Sequence, residues 1–209
     1  MALRLLMMGT GSFALPTFRG LLESAHEVVG LVTQPDRTGR GHHHHVNVMK
    51  EAALEADIPV FQPAKANEQE SLDRLRKFGA DLFVVAAYGQ ILSADLLAIP
   101  PRGAINVHAS LLPKYRGAAP IQYAILNGET RTGVSIFQIE PRLDAGPILG
   151  TVETEIGSEE TSGDLETRLS ELAPQLTLQV IDDLEQGREE RILQDRDQVT
   201  LAPRMAKAM

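Results

Sequence analysis

The segment Leu3-Arg-Leu-Leu-Met-Met8-Gly9-Thr-Gly11-Ser-Phe-Ala14 decides the fold. A short apolar run ends at two glycines and passes into Leu15–Ser24, where apolar residues recur at intervals of three and four. That order is a buried strand, a tight turn and an amphipathic helix, the first half of a βαβ unit. Gly9-x-Gly11-x-x-Ala14 also matches a dinucleotide-binding fingerprint in its usual place. The fingerprint needs an acidic residue about 20 positions on, at the end of the second strand, to hold a ribose. Here that strand ends Val32-Thr-Gln-Pro35, and the nearest acid, Asp36, lies past the proline. The plainer reading is a turn that needs glycine; a nicotinamide-dependent dehydrogenase stands as the alternative.

Working outward, Val28–Thr33, Val60–Gln62, Leu82–Ala87 and Ala104–His108 are further strand candidates, mostly continuous in Val, Ile and Leu, as parallel strands covered on both faces are. Val48–Ala56 and Glu68–Phe78 are helix candidates, with Asn67 as the expected cap of the second. The alternation predicts a Rossmann-like, doubly wound α/β fold with a mostly parallel sheet and helices on both faces. Two more strands are expected at Gly133–Glu140 and Gly150–Ile156. A long helix is expected over Glu159–Gly187, kinked or divided at Pro174. Residues 1–187 form one expected domain. Residues 188–209 form a tail, read as a surface strand or the start of a linker.

The 209 residues are 43% hydrophobic and carry a net charge of −8, enough apolar material for a real core and a poor match to general nucleic-acid binding by the whole surface. There is no cysteine, which excludes disulfides and thiolate metal sites. No apolar run approaches membrane-spanning length, and the apolar start runs into glycines and not a cleavage site, so a monomer in the cytoplasm, away from membranes, is the expectation.

In a doubly wound sheet, ligands bind beyond the carboxyl ends of the strands: Gly9–Ser12, Thr33–Arg37, Ala87–Gln90 and Asn106–Pro113. The last is the densest in chemistry, Asn106-Val-His108-Ala-Ser110-Leu-Leu-Pro113-Lys-Tyr-Arg-Gly117. Asn106 and His108 stand two apart on a strand and so face one way, an amide donor beside a titratable imidazole. Asp144, in Pro141-Arg-Leu-Asp-Ala-Gly146-Pro147, supplies a carboxylate to orient that imidazole and favour its charged form. With no Ser or Cys nucleophile in the group, the constellation suits transfer of an acyl group to an incoming nucleophile without a covalent enzyme intermediate. A hydrogen-bonded polar pair at a strand end is the blander reading. His42–His45 is a separate feature: a polar loop, an introduced tag or a metal binder, although four sequence neighbours cannot all face one ion unless the backbone wraps it, and no metal is expected.

Taken together, Asn106–Gln122 with Thr132-Gly-Val-Ser-Ile-Phe137 and Leu143-Asp-Ala-Gly146 resembles the folate-dependent formyltransferases. The resemblance extends over nearly the whole chain, through Val32–Arg37, Gly39-Arg-Gly41, Val60–Pro63 and Ala87-Tyr-Gly-Gln-Ile91. It implies the formyltransferase fold, with 10-formyltetrahydrofolate as donor, and Asn106, His108 and Asp144 as the catalytic set. It also implies that Ala87, Tyr88, Gly89, Gln90 and Ile91, with Ser110, Leu111, Leu112 and Pro113, hold the folate. Gly117-Ala-Ala-Pro-Ile-Gln122 resembles the members that act on methionyl initiator tRNA rather than on sugar nucleotides or purine precursors. By the same resemblance Gly11, Ser12, Arg37, Arg40 and Arg116 are the candidate contacts to the tRNA acceptor.

The chain departs from the family twice. His42–His45 stands where a basic stretch is usual, at unchanged spacing to Lys50. The chain also stops at Met209, where the family continues into a C-terminal barrel domain; a shortened two-domain protein and a natural single-domain relative with weakened tRNA binding are both open.

Overall fold

The computed structural model describes residues 2–36 and 47–205; Arg37, Arg40 and His42–His45 lie outside the described residues. Seven strands form one sheet: β1 (Arg4–Gly9), β2 (Glu27–Val32), β3 (Val60–Phe61), β4 (Leu82–Ala86), β5 (Ala104–His108), β6 (Arg131–Gln138) and β7 (Ile148–Glu155). Their order is β3-β2-β1-β4-β5-β6-β7. The first five pair in parallel, and β6 and β7 add antiparallel at one edge. The helices are α1 (Leu15–Leu22), α2 (Val48–Glu55), α3 (Gln69–Lys77), α4 (Ala94–Leu97), α5 (Pro120–Leu126) and α6 (Ser162–Gln186).

Because successive side chains on a strand point to opposite faces, β1 serves two cores. Leu5 and Met7 pack with Phe18, Leu31, Met49, Val84 and the buried face of α6, while Leu6 and Met8 pack with Leu72, Leu75, Phe83 and Val85. The five parallel strands are therefore covered on both faces, which is why they read as nearly unbroken apolar runs. Burying each large aliphatic side chain contributes about 1.5–3 kcal/mol before the entropy of ordering it.

Three expectations need correction. Pro174 does not divide α6, which runs through it as one helix, and its ring lies against Gly20: a Cβ placed there would sit 3.1 Å from the Pro174 Cβ. Thr161 and Asp164 cap its start reciprocally, and Gly187 at φ 65° ends it. Asn67 does not cap α3. Its Nδ2 donates to the Ile91 carbonyl at 2.7 Å and its Oδ1 accepts from the Ser93 N–H at 2.9 Å, so it ties down the loop after β4 instead. β6 and β7 each begin two residues before their expected starts, since the ladder between them includes Arg131 and Ile148.

Residues 188–205 return to the body. Ile192 forms an antiparallel bridge to Ile148, and Leu201 a parallel bridge to Arg116. Among the described residues, no helix is long and apolar enough to cross a membrane.

Candidate active site

β5 ends beside β4, and the loops after these two strands form one side of a cavity of about 720 Å³. Ala87–Leu92 after β4, Asn106 and His108 on β5, Gly117, Ala118, Pro120–Gln122, Glu140, Pro141, Leu143 and Asp144 line it, together with Phe13, Glu166, Pro203 and Arg204. Among the described residues, none of the main-chain N–H groups of Tyr88–Leu92 donates to another protein group, and the Asn106 carboxamide has no partner. The wall thus offers free donors beside apolar surface such as Ile91 and Leu92.

His108 is buried, with its side chain 6% exposed. Its Nε2 lies 2.9 Å from the Tyr115 carbonyl oxygen. A carbonyl only accepts, so Nε2 carries the proton and Nδ1 presents a lone pair. That lone pair faces Asp144, whose Oδ2 is 3.9 Å away and accepts a 2.8 Å bond from the Gly117 N–H. The edge of Phe137 meets the imidazole, with centroids 6.2 Å apart. Burial pushes the His108 pKa below its ordinary 6.5, against the opposing pull of Asp144 and the Tyr115 carbonyl. The expected division of labour changes accordingly. The Tyr115 carbonyl orients the ring, and Asp144 is a nearby charge whose attraction is outweighed by desolvation.

The backbone is strained at this site. Of the four non-glycine residues with positive φ among the described residues, three belong to it: Ala87 (46°), Tyr115 (62°) and Asp144 (43°). Each such residue costs on the order of 1–3 kcal/mol and persists only where surrounding contacts over-determine it.

The other expected residues divide. Ala87, Tyr88, Gly89, Gln90 and Ile91 line the cavity; burial lifts the Tyr88 hydroxyl pKa to about 12. Ser110, Leu111, Leu112 and Pro113 do not line it, because this turn, with a cis Leu112–Pro113 bond, folds beneath β6. There the Ser110 hydroxyl donates to the Lys114 carbonyl at 2.7 Å, the Leu112 N–H donates to the Ser135 Oγ at 3.0 Å, and Leu112 packs with Phe137 and Ile148. Gly11 and Ser12 also lie off the lining; Ser12 donates to Glu166 at 3.1 Å. Arg116 is 6% exposed and donates through Nε and Nη2 to the Gln194 Oε1, at 3.1 and 2.7 Å, so it is an internal brace and not a surface contact. Asp36, the acid a ribose would need, pairs with Lys50 at 2.5 Å.

Phe13, Glu166, Gln194, Pro203 and Arg204 were not legible from local pattern. Each reaches the site through tertiary folding from a turn, a long helix or the tail; Phe13 occupies an unspecified position of the Gly9–Ala14 turn, and the others sit in no motif. No cluster of three potential metal ligands occurs among the described residues.

A family model described as formyl transferase matches residues 2–181. The chain belongs to the formyl transferase family. Among curated members, it is 44% identical over 207 residues to the methionyl-tRNA formyltransferase of Methylococcus capsulatus, covering 99% of this chain and 67% of that protein, so it spans about two thirds of the relative's length. Solved formyltransferases share the fold. Glycinamide ribonucleotide transformylase 1 from Symbiobacterium toebii superposes with a TM-score of 0.77 at 20% identity, covering 93% of this chain and 95% of that one. The N-formyltransferase from Helicobacter canadensis, in complex with folinic acid and dTDP-3-aminofucose, gives 0.71 at 18% identity, over 98% and 71%.

Proposed function

We propose that this formyl transferase moves the formyl group of 10-formyltetrahydrofolate to the amino group of methionyl initiator tRNA. The observation that carries this reading is the placement of a free Asn106 carboxamide and a buried His108 on one strand end, in a cavity whose other wall offers the unpaired N–H groups of Tyr88–Leu92. A flat, hydrogen-bonding heterocycle with an apolar face fits such a wall, which suits a folate. The identity to the Methylococcus capsulatus protein favours the tRNA acceptor.

The chemistry follows from the geometry. The acceptor's neutral amine attacks the formyl carbon, and the carbonyl electrons move onto oxygen. The Asn106 Nδ2–H donates to that oxyanion, the kind of donor whose loss typically costs about 10²–10³ in rate. His108 Nδ1 accepts the proton released by the attacking nitrogen, and Asp144 faces the imidazolium that results. As the intermediate collapses, the proton passes to the departing folate nitrogen, which leaves with the electron pair of the broken C–N bond. No covalent enzyme intermediate is needed.

Residues 1–187 together with the returning tail, 188–205, form the catalytic unit in this reading, and the protein works in the cytoplasm. A C-terminal barrel of the family's kind would add phosphate contacts, each of which strengthens tRNA binding and steepens its salt dependence. The test is turnover of 10-formyltetrahydrofolate with charged initiator tRNA, an amino-sugar nucleotide or water as acceptor. Formyl-methionyl-tRNA as the favoured product supports the reading. Preference for the amino sugar or for water refutes the acceptor assignment, and saturable nicotinamide binding without folate binding refutes the whole.

A further inference from the structure

We propose that Gln194, in the tail segment, is a positioning residue of the transfer reaction: its carboxamide holds the Asp144 loop and the Arg116 guanidinium in the one arrangement that leaves the Asp144 carboxylate facing His108. The inference rests on the transfer reading above.

Gln194 engages both of its polar ends. Its Nε2 donates to the carbonyls of Asp144 and Gly146, at 2.9 and 2.8 Å, and its Oε1 takes the two bonds from Arg116. The first pair fixes the backbone of a loop whose central residue is strained at φ 43° and whose side chain stands at the imidazole. The second occupies a buried cation that lies close enough to Asp144 to interact with it electrostatically. A buried guanidinium without an acceptor takes the nearest one at hand, because leaving it unpaired costs several kcal/mol. In the absence of Gln194 that acceptor is the Asp144 carboxylate, which would be drawn from His108.

The rest of the tail supports the same clamp. The Arg116 N–H donates to the Thr200 carbonyl at 2.9 Å, the Tyr115 N–H to the Thr200 hydroxyl at 2.8 Å, and the Ala202 N–H to the Arg116 carbonyl at 2.7 Å. These bonds set the loop that supplies the Tyr115 carbonyl to Nε2 and the Gly117 N–H to Asp144. The Tyr115 carbonyl, the Gly117 N–H and the Asp144 loop are thus all held by residues 194–202. Gln194 is the member that does so by side chain alone, which makes it open to a clean substitution.

Two variants in the full chain separate positioning from stability. Gln194→Glu keeps the size and still accepts from Arg116, but cannot donate to the two carbonyls; Gln194→Leu removes both functions. Both should lower kcat by about 10- to 100-fold, as misplacement by an ångström does, with KM for 10-formyltetrahydrofolate changed less than about threefold. Gln194→Glu should keep its melting temperature within a few degrees of the unmodified protein. In Gln194→Leu, titration of the ¹⁵N-labelled imidazole should show His108 protonating at lower pH, since the Asp144 charge has withdrawn while the Tyr115 carbonyl and the Phe137 edge remain. Unchanged kcat in both variants, or an unchanged His108 titration in Gln194→Leu, overturns the proposal. Absence of transfer by the unmodified protein sinks the functional reading instead, and the titration then still decides what Gln194 places.

Discussion

The turns after β1 and β5 open onto the same edge of the sheet, both rich in residues that sequence patterns associate with ligands, yet they are built for different ends. At the first, a Cβ on Gly9 would come within 2.9–3.0 Å of Met7, Ala14 and the Ala86 carbonyl, so the glycine serves close packing of strand on helix. Gly11 adopts φ 82°, a conformation open to glycine, with nothing near its missing side chain. The acid that would complete a nucleotide site is paired with Lys50. At the second turn the strain falls on Tyr115, the imidazole is desolvated, and the Asn106 carboxamide faces the cavity without a partner. The contrast teaches that glycine spacing reports backbone shape, whereas unpaired donors and misplaced charges report chemistry.

The comparison breaks first at His108. His108→Ala should reduce formyl transfer by about 10²–10⁴-fold, the range for a positioned general base, with an unchanged circular dichroism spectrum; transfer near the original rate would remove the residue from the reaction. Asn106→Ala should cost about 10²–10³ in kcat, with little change in donor KM, if the carboxamide acts on the oxyanion alone. Gly117→Ala tests the strain at this turn. At φ 125° its new Cβ would meet the Ala202 carbonyl oxygen at 2.6 Å, so thermal unfolding should show a loss on the order of 1–3 kcal/mol, together with reduced turnover.

A smaller effect should follow pH. The folded-state pKa of His108 lies below its unfolded value of 6.5, so the native state binds this proton less readily than the unfolded chain. The stability associated with the neutral imidazole is complete above 6.5 and declines as the pH falls from 6.5 toward the folded pKa. Melting curves at successive pH values below 6.5 should fall less steeply for His108→Gln than for the unmodified protein. The smallest effect is expected at the first turn: Asp36→Asn, which removes a half-exposed ion pair, should leave transfer within about twofold and cost under about 1 kcal/mol. A large loss of transfer there would restore that turn as a binding site.

The doubly wound sheet was readable because its parallel strands are buried on both faces, which leaves continuous apolar runs such as Leu82–Ala87. Asn106 and His108 were legible as a pair because strand periodicity alone places them on one face. Asn67 was misread because an Asn before a helical stretch has the signature of a cap, whereas its side chain found the Ile91 carbonyl and the Ser93 N–H across a tertiary contact. The resemblance made Arg116 a candidate tRNA contact, yet Gln194 supplies an acceptor that lets it be buried. Ser110–Pro113 belongs to the motif but turns under β6, so membership in a motif did not give the direction in which its side chains face.

The bridge between Arg116 and Leu201 also makes the site depend on a distant part of the chain. The strands and α1–α5 can associate through contacts made before the tail is available, but the imidazole's surroundings are complete only when residues 194–202 have closed a long loop back to β5. Closing such a loop carries an entropic cost that local pairing does not. The reactive centre therefore depends on that closure: a chain without it would have a formed sheet with an unassembled site.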